Sequence, residues 1–328
     1  MSIPLELLAE VNQFMRSRII LSAAELDLFT ELQAAPAAAD ELAGRLGLDG
    51  RATRRVLDCL VGFGLLEKSA GPYRVTERGA LLSDAHPESL RPMVLHYNQL
   101  WKTWSHLTET VQQGTSPARA TAGEKDDDSL AAFIGGMHVI GRTMAAEVAA
   151  ALDLSGYRRL LDVGGASGSY TIAFLRRNPD LTAVLFDLPR VIPIAEKRLR
   201  QEGFLDRVNL AAGDFERDEL PAGCDLALLS AIIHQNSPAA NQALYRKIHR
   251  VLAPGGALLI RDHVMDPSRT WPAAGAVFAI NMLVGTSGGD TYTFDEIRHD
   301  LALAGFEDIQ SVLSGERMDS VLQARKPQ

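Results

Sequence analysis

Apolar residues recur at helical spacing from the start of the chain. Leu7, Leu8, Val11, Phe14, Met15 and Ile19 fall on one stripe, which predicts helix over residues 3–33. A compact pattern follows. Residues 39–47 read as a short helix ended by Gly47, and residues 50–63 as a second with Val56, Leu57, Leu60 and Val61 on one face. Leu65–Lys68 and Tyr73–Thr76 read as short strands around the turn Ala70-Gly71-Pro72. Helix–turn–helix followed by a β-ribbon is a winged-helix arrangement. Helical periodicity returns over 87–113, carrying Tyr97, Trp101 and Trp104, and over 130–152, with Phe133, Met137, Ile140 and Met144 on one side. Between them residues 114–129 form a polar loop whose acids read as solvated, since they show no ligand geometry for a metal.

From about residue 155 strand and helix alternate. Strands are predicted at 159–163, 182–186, 207–211, 224–232 and 256–262, and helices at 168–178, 190–202, 239–252 and 294–304. Such alternation with short links implies an α/β fold: a doubly wound, mostly parallel sheet covered on both faces. Phe306–Leu313 and Met318–Ala324 flank Ser-Gly-Glu-Arg and read as an antiparallel hairpin. The expected domains are a winged-helix-like region at 1–86, a helical region at 87–154 and the α/β region at 155–328.

Bulk composition narrows the function classes. The chain has 328 residues, 46% hydrophobic and 23% charged, ordinary for a folded soluble protein. A formal charge of −8 argues against nucleic acid as the main partner. Arg51, Arg54 and Arg55 could touch phosphates from the winged helix, but three arginines without a basic tail leave a small footprint. A packing or dimerisation module with a solvated basic face is the favoured reading. Cys59 and Cys224 make no disulfide framework and lack metal-ligand spacing. Glu6 comes too early for a secretory signal, and no apolar run approaches the roughly 20 residues of a membrane span. A cytoplasmic location without membrane contact is expected.

The chemistry collects beyond the carboxyl ends of the predicted strands, where doubly wound sheets bind ligands. The first strand runs into Leu-Asp-Val-Gly-Gly-Ala-Ser-Gly, in which Gly164, Gly165 and Gly168 allow a sharp turn and close ligand approach. Asp162 lies within this motif. The second strand ends at Asp187, followed by Leu188; a carboxylate there can accept from ribose hydroxyls. Further strands deliver Asp214 and Phe215, then Ser230 and His234, then Asp262. Asp214 can accept from an exocyclic amine and Phe215 can stack on a base, though Asp214 also reads as a cap or turn residue.

His234 is the candidate base, because imidazole titrates near neutrality. Asp262 ends the adjoining strand and can orient it. His263 should alternate to the opposite side and be structural. His86, His96, His106, His249 and His299 are scattered, His138 is a weaker pocket candidate, and no zinc spacing occurs. Candidate acceptor-wall residues are Trp104, Phe133, Met137, Phe278, Asn281 and Met282, with core packing as the alternative for each. Phe278 and Met282 are four apart on one helical face.

These motifs carry a resemblance. The chain is similar over nearly its whole length to class I S-adenosylmethionine-dependent O-methyltransferases of the plant-caffeate and bacterial natural-product type. The resemblance rests on the winged-helix region, the glycine motif, Phe-Asp-Leu-Pro at 186–189, Gly-Asp-Phe at 213–215, the His234 region and Leu-Ala-Pro-Gly-Gly at 252–256. It implies an intertwined homodimer through the N-terminal domain, a helical segment contributing to the acceptor pocket, and S-adenosylmethionine bound by the C-terminal domain. The donor site would comprise Asp162, the three glycines, Asp187, Leu188, Asp214, Phe215 and Ser230. His234 would deprotonate a hydroxyl on an aromatic or polyketide-like molecule. The chain departs from the family pattern at Ala166 (usually glycine), at Gln235-Asn236 (usually aspartate then an aromatic), at Asp262 (usually glutamate) and at Thr291, where a second acid is expected, with Asp290 beside it. Two alternatives stay open: a methyltransferase-like enzyme that uses the bound sulfonium for hydroxylation, decarboxylation or pericyclic chemistry, and a ligand-sensing DNA-binding regulator.

Overall fold

A computed structural model describes residues 3–116 and 127–328. The chain divides into two units, Met1–Lys102 with Asp126–Val139, and Thr103–Lys125 with Ile140–Gln328.

The first unit contains α1 (Ile3–Val11), α2 (Gln13–Glu25), α3 (Leu28–Ala34), α4 (Ala39–Leu46), α5 (Gly50–Gly62), β1 (Leu66–Lys68), β2 (Tyr73–Val75), α6 (Glu77–Ala80) and most of α7 (Arg91–Trp104). The helical run predicted over 3–33 is interrupted at Asn12 and again at Asp27, whose φ is +57°. Helix α4 stops at Gly47, which takes the left-handed conformation. Asp49 caps α5 by accepting from the Ala52 N–H at 2.7 Å. Strands β1 and β2 pair antiparallel, as expected. Leu28, Phe29, Leu32, Leu42, Leu57, Leu60 and Tyr73 form the buried core. Arg54 pairs with Asp40 at 2.7 Å and Lys68 with Asp58 at 2.9 Å, so acids offset part of the basic face. Leu5, Leu7, Leu8, Val11, Phe14 and Met15 are each more than half exposed, an apolar face uncovered within the protomer.

The second unit takes up at the end of α7. The helix expected over 87–113 breaks at Ser105 and His106 before α8 (Leu107–Gln113). Residues 117–126 of the expected polar loop lie outside the described residues, and α9 (Asp127–Ala151), which belongs to the first unit up to Val139 and to the second from Ile140, starts three residues earlier than its apolar pattern implied. The α/β body follows: β3 (Arg159–Val163), α10 (Ser169–Arg177), β4 (Thr182–Asp187), α11 (Ile192–Gln201), β5 (Val208–Ala212), β6 (Cys224–Ser230), α12 (Pro238–Val251), β7 (Leu252–Asp262), β8 (Val264–Met265), α13 (Ala273–Gly285), β9 (Tyr292–Thr293), α14 (Phe294–Leu303), β10 (Glu307–Leu313) and β11 (Ser320–Arg325).

Among the described residues the main sheet has the order β10-β11-β7-β6-β3-β4-β5. Strands β3 to β7 run parallel, and the terminal hairpin adds two antiparallel strands beside β7. One face is packed by Met144, Val148, Phe174, Ala195 and Leu199 from α9, α10 and α11. The other is packed by Leu244, Tyr245, Ile248, Ile297 and Leu301 from α12 and α14. The chain leaves β3 toward β4 and β5, then returns to lay β6 and β7 on the other side. That reversal opens a crevice at the carboxyl ends of β3 and β6. Strand β6 ends two residues earlier than expected, because Ala231 takes φ +58° and turns the chain out of the sheet.

Candidate active site at the carboxyl rim

The turn after β3 is built by steric exclusion. A Cβ on Gly164 would lie 2.5 Å from Ile232 Cδ1, and one on Gly165 2.7 Å from Leu185 Cγ. Ala166, at the third-glycine position, adopts φ +49° and presents its N–H to Asp187 Oδ2 at 2.7 Å. The Leu188 N–H reaches Asp187 Oδ1, also at 2.7 Å. Asp187 is thus aimed by two backbone donors while keeping lone pairs for a ligand. Burial raises its pKa against those two bonds.

Asp162 is wholly buried and accepts from Thr171 Oγ1 at 2.5 Å. Burial pushes its carboxyl up to about 6, with the Asp187 charge adding to the effect. Phe215 lies against the turn, its ring 3.8 Å from where a Gly164 Cβ would stand. The Asp214 carboxylate accepts from the Glu216 N–H at 2.9 Å, so part of its capacity serves its own turn. Lys247 of α12 fastens this turn by donating to the carbonyls of Phe215, Glu216 and Asp218 at 2.9–3.0 Å.

His234 sits in a 3₁₀ turn, Ile233–Gln235, directly after β6. Its Nδ1 lies 2.9 Å from both Oδ1 and Oδ2 of Asp262. Burial opposes ionisation of Asp262, but the adjacent His234 imidazole and the donors around the carboxylate outweigh it and lower the pKa. The turn is braced from α12, where Asn241 Nδ2 donates to the Ile233 carbonyl at 2.9 Å and Asn236 Nδ2 donates to Asn241 Oδ1 at 3.0 Å. Thr291 does not take the place of a second acid on the imidazole: its hydroxyl turns to the Gly275 carbonyl at 3.4 Å. Asp290 pairs with Arg269 at 3.2 Å.

His263 departs from its expected place. Phe278 packs edge-on to His234 at 4.8 Å between ring centroids and also contacts His263 at 5.1 Å. Alternation does not carry past Asp262, because β7 ends there and the His263 N–H folds back to Asp262 Oδ1 at 2.8 Å. Burial lowers the His263 pKa.

Residues 104–307 match the O-methyltransferase domain family, and residues 8–84 match the O-methyltransferase dimerisation domain. The chain belongs to the O-methyltransferase family. It is 32% identical to the tetracenomycin polyketide synthesis 8-O-methyl transferase of Streptomyces glaucescens, over 99% of this chain and 97% of that protein. It is also 32% identical to the 3-hydroxy-5-methyl-1-naphthoate 3-O-methyltransferase of Streptomyces sahachiroi, over 90% and 88%. The crystal structure of human N-acetylserotonin methyltransferase in complex with S-adenosylmethionine superimposes with a TM-score of 0.83 at 25% identity, covering 100% of this chain and 99% of that one.

Of this O-methyltransferase's candidate acceptor residues, Trp104, Phe278, Asn281 and Met282 belong to the second unit. There Trp104 Nε1 donates to Asn281 Oδ1 at 2.9 Å. Phe133 and Met137 belong to the first unit, where Phe133 packs on His96 at 5.3 Å between centroids. Lys247 and Arg261 escape sequence reasoning. The only signal for Arg261 is a cation inside the apolar run Leu-Leu-Ile-Arg. Among the described residues, no cluster of three or more His, Cys, Asp or Glu could hold a metal, and no helix is long and apolar enough to cross a membrane.

Proposed function

We propose that this O-methyltransferase transfers a methyl group from S-adenosylmethionine to a phenolic hydroxyl of an aromatic, polyketide-like small molecule, with His234 as general base. The carrying observation is the buried His234–Asp262 pair beside the glycine turn. The rim fits the donor: Asp187 is aimed for a ribose diol, Phe215 offers a ring face, and Asp162 is a buried acid able to face the ammonium of a methionyl tail. When bound, the donor supplies an electrophilic methyl carbon on a sulfonium.

The residues do the rest. Asp262 holds the Nδ1 proton of His234, which leaves Nε2 as the basic nitrogen. Nε2 takes the acceptor's hydroxyl proton, and Asp262 stabilises the imidazolium that forms. A phenol with pKa near 10 is mostly neutral at pH 7, so this base contributes about 10²–10⁴-fold. Phe278 fixes one edge of the imidazole and forms part of the acceptor wall with Trp104, Asn281 and Met282. The apolar face of α1 and α2 pairs two copies into a homodimer, which suits the dimerisation-domain match.

The test uses methyl-labelled donor with a panel of hydroxynaphthoates and larger polyketide phenols. Label in the product, lost in a His234→Asn variant that still binds S-adenosylhomocysteine, supports the reading. Product without label, or full turnover by the variant, overturns it.

A further inference from the structure

Arg261 is the buried cation that this mechanism does not use. It stands one position before Asp262 in β7, opposite Ser230 of β6 in the parallel register. It is 5% exposed. Its Nε donates to Ser230 Oγ at 2.9 Å, its Nη1 donates to the Met318 carbonyl at 2.8 Å and approaches Met144 Sδ at 3.7 Å, and its carbon centre stands 4.8 Å from the Tyr170 ring centroid. All of these partners are neutral. Among the described residues Nη2 has no hydrogen-bond partner and no carboxylate pairs with the guanidinium; Asp262, its neighbour in the strand, is engaged by His234. A cation in that position carries a standing cost that a bound anion removes.

A second observation points the same way. Tyr170, in the first turn of α10 directly after the glycine motif, is 93% buried, and its hydroxyl faces Ser230 without making a well-formed hydrogen bond. The Tyr170 hydroxyl and a free guanidinium N–H therefore meet beside Ser230. Asp162 lies on the same face of the sheet, on β3, the strand on the other side of β6. Asp162 is level with Leu228, two residues before Ser230, so with strands about 4.8 Å apart and a rise of about 3.3 Å per residue the backbones of the buried acid and the buried base stand about 12 Å apart, diagonally across β6. The pair suits a zwitterion lying across the end of β6.

We propose that Arg261, with the Tyr170 hydroxyl, forms the subsite for the α-carboxylate of the donor's methionyl tail. This deepens the donor assignment and rests on it. The guanidinium offers its free edge to a carboxylate, Tyr170 holds the plane of the guanidinium and adds a donor, and Ser230 sets the height of the group above the sheet.

Titration calorimetry with two adenosyl thioethers tests it. S-adenosylhomocysteine carries the aminocarboxylate; 5′-methylthioadenosine lacks it. In Arg261→Met, S-adenosylhomocysteine should bind about 10- to 100-fold more weakly, while 5′-methylthioadenosine binds as to wild type. Arg261→Lys should recover part of the loss for the first ligand only. Equal weakening of both ligands, or no weakening of either, overturns the subsite. If Arg261→Met does not fold by circular dichroism, the ratio of the two affinities in Arg261→Lys decides by the same criteria. Failure of wild type to bind S-adenosylhomocysteine would overturn the donor assignment itself, a result distinct from the variant outcomes.

Discussion

The Asp262 carboxylate meets His234 Nδ1 with both oxygens at 2.9 Å, and neither side chain is open to solvent. The shorter acid therefore reaches the imidazole where the wider family pattern has glutamate. Its removal should disarm the base without touching the donor site. Asp262→Asn is expected to lower kcat by about 10²–10⁴-fold. The Kd for S-adenosylhomocysteine should stay at the wild-type value. Steady-state kinetics and calorimetry on the same preparation check both halves.

A His234→Asn variant should show a deficit that depends on pH. The acceptor phenol ionises by itself as pH rises toward about 10. The ratio of wild-type to variant kcat should therefore shrink about tenfold per unit between pH 7 and 9. A ratio that stays flat over that range would mean His234 does not act on the acceptor's proton.

Asp162 trades stability for charge. Its pKa rises from the ordinary 3.8 to about 6 in the folded protein. A folded value above the unfolded one means the contribution to stability is fully present below pH 3.8 and lost as pH climbs through 6. The shift corresponds to about 3 kcal/mol. Without ligand, Asp162→Asn should gain up to that amount at pH 8 and nothing at pH 3.5, read from urea unfolding. The same variant should bind donor more weakly. In wild type, donor affinity should fall below pH 6 as the acid takes up its proton.

The bond from Trp104 to Asn281 ties the end of α7 to α13 at 2.9 Å. Asn281→Ala leaves a half-buried indole N–H without its acceptor, at a cost of about 1–3 kcal/mol. Acceptor KM should rise while the Kd for S-adenosylhomocysteine stays fixed. A change in donor affinity instead would place this pair in another role.

The apolar face of α1 and α2 gives a fifth test. Leu8→Glu with Phe14→Glu puts two charges on residues that are 62% and 51% exposed in the protomer. Analytical ultracentrifugation should show the homodimer falling to monomer. The core of Phe29, Leu42 and Leu57 should survive, since none of its side chains lies on that face.

The glycine turn was legible because its chemistry is local: small residues, a strand before them, a helix after, and an acid at the end of the next strand. The parallel sheet was legible for the same reason, through the change of period after residue 155. Residues whose role depends on distant segments were not. Arg261 meets Ser230, Tyr170 and Met318, three segments that only the folded sheet assembles. Phe278 joins His234 to His263 across a strand end that alternation reads straight through. Asp214 showed its acid but not the Glu216 N–H that already occupies part of it.

Helix α12 holds two parts of the rim at once. Lys247 gathers three carbonyls of the Phe215 turn onto one ammonium, and Asn241, less than two turns earlier, props the turn that carries His234. The ring beside the glycines and the imidazole are therefore hung from a common beam. A tilt of that beam would carry both in step, preserving their spacing while the rest of the cleft opens or closes around them.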